Sequence, residues 1–384
     1  MEEEPSLKKW DDMGLHMNLL RGIYAYGFEN PSEIQKKAIF PIIKGNDVIA
    51  QAQSGSGKTG AFTISTLQLI DTTIEETQAL ILAPTHELAL QISKVISTIG
   101  NMMPQLVIKT LIGGTSIRND YEQIRQKTPH VVVGSIGRVI DMFQKKYLSP
   151  DHLKLLVLDE ADEMLSQGFG EKIKEMFTLY FTNQIQVVLF SATIPPEMLL
   201  LSDKFMRSPT KILMNKEELS LKCITQYFVA LQNDKMKYDT LKDLFSRISV
   251  SKCIIYCNSV LRVQELYHSM AQEGYSVCCI HSNMEKGERH NVFQQFSLGD
   301  TRVLISSDVT ARGIDIQQVS TVINFDIPRS VHTYLHRIGR GGRWGRKGFA
   351  INFITRMDLH DMKKIESHYG IVIDELPSSF SGQI

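Results

Sequence analysis

Ala52-Gln53-Ser54-Gly55-Ser56-Gly57-Lys58-Thr59 follows a short apolar run, Asp47–Ala52, and leads into a helix-like stretch, Gly60–Ile70. Strand, glycine-rich loop and helix in that order make a phosphate-binding loop, here with Ala52 in place of the usual first glycine. Small residues let such a loop wrap, so that backbone N–H groups point inward at an anion. The helix behind it adds its positive N-terminal end. Gln53, Ser54, Gly55, Ser56 and Gly57 would form the cradle. Lys58 would reach the β- and γ-phosphates of a nucleoside triphosphate, and the Thr59 hydroxyl would ligate Mg2+. A chance glycine loop is the bland alternative, and the strand–loop–helix context argues against it.

Working outward, Leu155-Leu156-Val157-Leu158-Asp159-Glu160-Ala161-Asp162 is an apolar strand that ends in carboxylates. Ligands of α/β sheets bind at the carboxyl ends of strands. Asp159 there would hold Mg2+, and Glu160 would orient and deprotonate an attacking water. Alone, an acidic run of this kind is most often a solvated helix start. Similar apolar runs recur at Ala79–Ala83, Ile108–Ile112, Val131–Val133 and Val187–Phe190. They continue in the second half at Gln226–Ala230, Cys253–Tyr256, Val277–Ile280, Val303–Ser306, Val322–Phe325 and Ala350–Ile354. They alternate little between polar and apolar, as strands covered on both faces do, and helix-like stretches separate them. That rhythm predicts an α/β fold of mostly parallel sheets. It breaks near Asn215–Lys222, where a charged stretch follows the strand-like Lys211–Met214.

Bulk properties narrow the class. The chain has 384 residues. Domains commonly run to about 100–200 residues, so two are expected. Lys and Arg number 42 and Asp and Glu 42. Any grip on nucleic acid must therefore be local rather than a property of the whole surface. No apolar run approaches the roughly 20 residues of a membrane span. The start, Met1-Glu2-Glu3-Glu4-Pro5, lacks the basic and apolar parts of a signal peptide. Of the five cysteines, Cys253 and Cys257 sit in a strand-like run, and Cys278 and Cys279 are adjacent. An adjacent pair is a poor zinc site, so reduced, buried thiols are expected. These features point to a cytoplasmic protein, with the nucleus as an alternative.

Asp159-Glu160-Ala161-Asp162 spells the signature of the DEAD-box RNA helicases, and the chain resembles that family in an ordered set of further motifs. Gly27-Phe28 and Pro31-Ser32-Glu33-Ile34-Gln35 resemble its Q motif. Pro84-Thr85-His86-Glu87-Leu88-Ala89, Gly113-Gly114 and Ser135-Ile136-Gly137-Arg138 resemble motifs Ia, GG and Ib. Ser191-Ala192-Thr193 matches motif III. Asp308 with Ala311-Arg312-Gly313-Ile314-Asp315 matches motif V, and His336-Arg337-Ile338-Gly339-Arg340-Gly341-Gly342-Arg343 matches motif VI. The resemblance implies two tandem RecA-like domains, each a mostly parallel sheet covered by helices on both faces. On that pattern residues 1–215 form the first domain, 216–222 a linker and 223–384 the second.

The resemblance also implies roles. Gln35 would pair with adenine through its donor and acceptor, and Trp10 would stack on the base with Phe28 nearby. The competing reading of Trp10 is a surface side chain in a frayed terminus. Gly313 and Asp315 would face the nucleotide. Arg340 and Arg343 would act as arginine fingers from the second domain, with His336 coupling the domains. Asp162, Ser191 and Thr193 would link the nucleotide to that coupling. A plain nucleic-acid patch is the rival reading of the basic motif VI tract. RNA would be held through its backbone, without regard to sequence, by Pro84, Thr85, His86, Gly113, Gly114, Ser135, Gly137, Arg138, Arg289, Ser307 and Arg312.

Several departures from the family pattern fall on the RNA side. His86 replaces an arginine, Ile136 a proline, and Ser307 a threonine. His281-Ser282-Asn283 replaces His-Gly-Asp, and Lys286 replaces a glutamine. An imidazole with an ordinary pKa of about 6.5 is largely neutral near pH 7. Two readings stay open: a retuned RNA grip, or drift at tolerant positions. Leu20–Glu29, Asp162-Glu163-Met164-Leu165 and Glu375-Leu376-Pro377 are similar to the translation-initiation branch of the family, and Gly341 favours it over the exon-junction-complex branch. That branch implies an ATP-dependent helicase acting on messenger-RNA leaders, a monomer that partners a helical-repeat initiation scaffold. The rivals are an ATP-locked RNA clamp, a paralogue with weakened RNA grip and a non-helicase P-loop ATPase acting on protein.

Overall fold

The computed structural model describes residues 9–52, 55–181, 184–213, 224–249, 251–308, 319–341, 348–377 and 382–383. The chain falls into two compact units, Met1–Met214 and Asn215–Ile384. The linker expected at 216–222 lies outside the described residues.

In the first unit, helices α1 (Met17–Ala25) and α2 (Glu33–Ile43) precede β1 (Val48–Gln51) and α3 (Lys58–Leu69). Then come β2 (Ala79–Ala83), α4 (His86–Ile99), β3 (Ile108–Leu111), α5 (Ile117–Gln126), β4 (Val131–Ser135) and α6 (Ile136–Gln144). The unit ends with β5 (Leu155–Asp159), α7 (Ala161–Ser166), α8 (Gly170–Leu179), β6 (Gln186–Ser191), α9 (Pro196–Phe205) and β7 (Thr210–Leu213). The strands lie in the order β3-β4-β2-β5-β6-β1-β7, every pairing parallel.

The unalternating strands of the sequence have a simple cause. Successive side chains of a strand point to opposite faces. Ala79, Ile81 and Ala83 of β2 join one core with Phe62 and Ile64 of α3 and Ile92 and Ile96 of α4. Leu80 and Leu82 join a second core with Val139 and Phe143 of α6 and Met176 of α8. Both faces are dry, so both must be apolar. Strand β4 continues to Ser135, past the expected end at Val133, because pairing with β2 holds Gly134 and Ser135 in register.

The second unit runs β8 (Ile224–Ala230), α10 (Met236–Arg247), β9 (Ile248–Ser249), β10 (Cys253–Tyr256), α11 (Val260–Gln272), β11 (Val277–Ile280) and α12 (Lys286–Leu298). It continues with β12 (Val303–Ser306), β13 (Thr321–Asn324), α13 (Val331–Ile338), β14 (Gly348–Ile354), α14 (Leu359–Tyr369), β15 (Asp374–Glu375) and β16 (Gly382–Gln383). Its main sheet is again parallel, in the order β11-β12-β10-β13-β14-β8-β15. Cys253 and Ile255 face one core while Ile254 and Tyr256 face another. Cys253, Cys257 and Cys278 are buried free thiols, and burial pushes each thiol pKa up. Among the described residues no helix is long and apolar enough to cross a membrane.

Candidate nucleotide and nucleic-acid sites

The loop between β1 and α3 carries Gly55 at φ 85° and Gly57 at φ 104°. This is the left-handed region, which costs glycine nothing. Space is as tight as the backbone. A Cβ at Gly57 would lie 2.6 Å from Ser32 Oγ and 2.9 Å from Gln35 Nε2, and one at Gly60 would lie 2.5 Å from the same Nε2. Gln35 is therefore packed against the phosphate loop, and its Nε2 donates to Gly57 O at 3.2 Å. Its Oε1 accepts from Ser32 N at 2.7 Å. That bond closes the capping box that starts α2. An amide has two donor hydrogens and two acceptor lone pairs, so these two bonds use one of each on Gln35.

Trp10 lies elsewhere than its motif implied. It has no exposed surface and belongs to the hydrophobic core. Its ring stacks behind Phe28, with centroids 6.2 Å apart and planes at 22°. Phe28 is only partly buried and sits beside Gly60. Phe28 thus has the free aromatic surface near Gln35, and Trp10 backs it. The frayed-terminus alternative is overturned by the same burial.

At the centre, Lys58 Nζ meets Glu160 Oε1 at 2.8 Å, with the two side chains only 5% and 3% exposed. Burial pulls the Lys58 pKa down, but Glu160, Asp159 and Asp162 outweigh it and leave the ammonium above its ordinary range. Burial pushes Asp159 up to about 7, against the pull of Lys58 and with the help of the Glu160 charge. Glu160 has φ 51°. That conformation is uncommon for a residue with a side chain. Its N–H donates to Asp159 Oδ1 at 3.0 Å. Thr193 Oγ1 donates to Asp162 Oδ2 at 2.6 Å, and Asp162 N donates to Ser191 Oγ at 3.2 Å. The expected trio Asp162, Ser191 and Thr193 is one cluster.

This donor set fits a magnesium nucleotide. Asp159 is forced toward its neutral form by burial, so a divalent cation would restore its charge. Thr59, half-buried at the start of α3, has the hydroxyl expected of the second ligand.

The loops expected to hold RNA follow β2, β3 and β4, which are neighbours in the sheet. Pro84 is buried at the end of β2, and Thr85 caps α4 by accepting from Leu88 N at 3.2 Å. His86 is the first residue of α4 and half-buried. Gly113 and Gly114 follow β3, with Gly114 at φ 88°. Ser135 precedes α6, and a Cβ at Gly137 would meet nothing within 4 Å. Ile136 fills the core where the family has proline. It stands at a helix start, a place that proline also suits. Arg138 differs from the rest: only 8% of its side chain is exposed, and its guanidinium is spent on Thr115 and Asp120.

In the second unit Arg337 is fully buried. Its guanidinium donates to Asp308 Oδ1 at 2.6 Å, Asn258 Oδ1 at 2.8 Å and Asp326 O at 2.7 Å. Asp326 in turn holds Lys237 at 2.9 Å and Arg262 at 2.9 Å. No sequence motif singled out Asp120, Lys237, Arg262 or Asp326. Burial of charge is the signal that finds Asp120, Lys237 and Asp326, and Arg262 is found through its pairing with Asp326; both exist only in the fold. His336 lies on α13, and Arg340 Nε donates to His336 O at 3.2 Å. Arg289 is half-buried on α12, and Ser307 follows β12. Gln53, Ser54, Arg312, Gly313, Asp315 and Arg343 lie outside the described residues, as does the Lys286 side chain.

Residues 32–201 match the DEAD/DEAH box helicase family, and residues 236–345 match the helicase conserved C-terminal domain. The chain belongs to the DEAD-box RNA helicase family. It is similar along nearly its whole length to proteins named initiation factor 4A. The ATP-dependent RNA helicase eIF4A of Pyricularia oryzae is 49% identical over 381 residues, 99% of this chain and 96% of that one. A probable eukaryotic initiation factor 4A of Trypanosoma cruzi is 48% identical over 390 residues, 100% and 96% of the two chains. Among solved structures, S. cerevisiae Dbp5 bound to RNA and ADP BeF3 matches with TM-score 0.90 at 32% identity, over 97% of this chain and 96% of that one. Mss116p bound to ssRNA and AMP-PNP matches with TM-score 0.86 at 27% identity, over 96% and 79%. The two sheets are those of tandem RecA-like domains.

Proposed function

We propose that the chain is an ATP-dependent RNA helicase of translation initiation, and that the buried Lys58–Glu160 pair is the latch its nucleotide releases. The pair at 2.8 Å carries this reading. An arriving triphosphate competes for the Lys58 ammonium, and Lys58 turns from Glu160 to the phosphates. Glu160 then orients and deprotonates a water for in-line attack. Mg2+, held by Thr59 and Asp159, would neutralise charge on the phosphates. Gln35 recognises the adenine edge, and Phe28 stacks on the ring with Trp10 behind it.

Hydrolysis further requires Arg340 and Arg343 of the second unit to stabilise the transition state, with Gly313 and Asp315 at the nucleotide and His336 coupling the units through Asp162, Ser191 and Thr193. We propose 216–222 as the linker that allows this. RNA backbone is gripped by the loops at Pro84–His86, Gly113–Gly114 and Ser135–Gly137, and by Arg289, Ser307 and Arg312. Similarity to initiation factors supports a helicase on messenger-RNA leaders over an RNA clamp. The proposed helicase is a cytoplasmic monomer that works with a helical-repeat scaffold.

The test is steady-state ATPase with and without RNA. Wild type should be stimulated by RNA, and Glu160→Gln should lose turnover by about 10²–10⁴-fold. Full activity in Glu160→Gln would remove the proposed base.

A further inference from the structure

Resting on the RNA-loop reading above, we infer that Asp120 is a positioning residue that locks two RNA-gripping loops together, and that Arg138 acts through Asp120 rather than by touching RNA. Four segments meet at this carboxylate. Asp120, on the first turn of α5 and 6% exposed, takes Arg138 Nη1 at 2.5 Å on Oδ2 and Lys109 Nζ at 2.9 Å on Oδ1. Lys109 comes from β3 and Arg138 from α6. Arg138 also donates to Thr115 Oγ1 at 2.9 Å and to Thr115 O at 2.7 Å. Thr115 directly follows Gly113-Gly114, and its hydroxyl lies 3.0 Å from Ile112 O and 3.1 Å from Asp120 Oδ2.

The guanidinium therefore ties the loop after β3 to the helix that Ser135 and Gly137 open. A planar fork suits this task, because it presents several donors in a fixed geometry. A phosphate could reach Arg138 only by breaking bonds to a buried carboxylate and a backbone carbonyl. With Asp120 neutralised, the two cations Lys109 and Arg138 would face each other without their shared anion. The loops should then part.

The experiment measures RNA-stimulated ATPase against RNA concentration, and RNA affinity against salt, for wild type, Asp120→Asn and Arg138→Lys. Asp120→Asn should raise the RNA concentration for half-stimulation by roughly tenfold, with kcat at saturating RNA close to wild type. Simple electrostatics expects the opposite sign, since removing a negative charge near RNA tightens binding. Arg138→Lys keeps the charge and loses the fork, so it should weaken RNA to the same degree and leave the salt slope unchanged. A lysine that binds RNA as well as arginine would make Arg138 a phosphate ligand and overturn the inference. So would an unaltered or tighter Asp120→Asn. Arg138→Lys keeps the test sharp if Asp120→Asn fails to fold. A wild type that RNA neither binds nor stimulates would defeat the RNA reading itself, and the inference with it.

Discussion

Two buried cations lie near the carboxyl ends of the first sheet, Lys58 after β1 and Arg138 after β4. Sequence alone makes them equals, each a basic residue in a motif that suits a phosphate. Their surroundings differ. Lys58 is one cation among Glu160, Asp159 and Asp162. Arg138 and Lys109 are two cations around Asp120 alone. In the first cluster burial forces Asp159 toward its neutral form. Such a site gains by taking up more positive charge and can release its lysine to a phosphate. The second has its carboxylate saturated and its arginine hydrogen-bonded on two sides, so it holds loops rather than ligands.

The largest effect should come from breaking the first cluster. Lys58→Ala should lower ATPase turnover by about 10²–10³-fold, the usual cost of a lost electrostatic donor in an active site. Turnover within a few-fold of wild type would show that Lys58 is as structural as Arg138.

A single kind of substitution made in both clusters sharpens the contrast. Asp159 is pushed up to about 7 in the fold, above its unfolded value. It therefore destabilises the nucleotide-free protein progressively as pH rises toward that value. Without nucleotide or Mg2+, Asp159→Asn should raise Tm at pH 8, and the gain should shrink as pH falls through 7 toward 4. Asp120→Asn should instead lower stability at pH 8, by about 1–3 kcal/mol, because it weakens two charged contacts. Thermal melts at three pH values suffice, and equal signs for the two variants would erase the distinction.

The smallest effect concerns His86, which stands where the family has arginine. His86→Arg should steepen the dependence of log affinity for single-stranded RNA on log salt by about 0.7, the increment of one phosphate contact. An unchanged slope would leave His86 out of the RNA grip.

Much of this is legible in the sequence. The strands at Ala79–Ala83, Cys253–Tyr256, Val277–Ile280 and Val303–Ser306 have the bounds expected of them. Asp162, Ser191 and Thr193, which come from two separate motifs, are joined by hydrogen bonds in the fold. Trp10 is buried behind Phe28 and Arg138 is bonded to Asp120 and Thr115, and neither contact can be read from a motif, for a shared reason. A motif tells which residue types stand near a ligand, but not whether a side chain faces it or backs another one that does. Asp120 is invisible in the sequence, since one aspartate on a polar helix resembles any solvated charge.

What the chain determined by itself is local: the phosphate loop, the doubly buried strands and the carboxylates at a strand end. Each follows from backbone freedom or periodicity over a few neighbouring residues. Which charges are spent and which are free was decided only by the tertiary structure. Lys58 and Glu160 stand 102 positions apart, and Arg138 and Asp120 stand 18 apart. The energy of a charge depends on burial and on partners brought from such distances, and those exist only once the sheet has assembled.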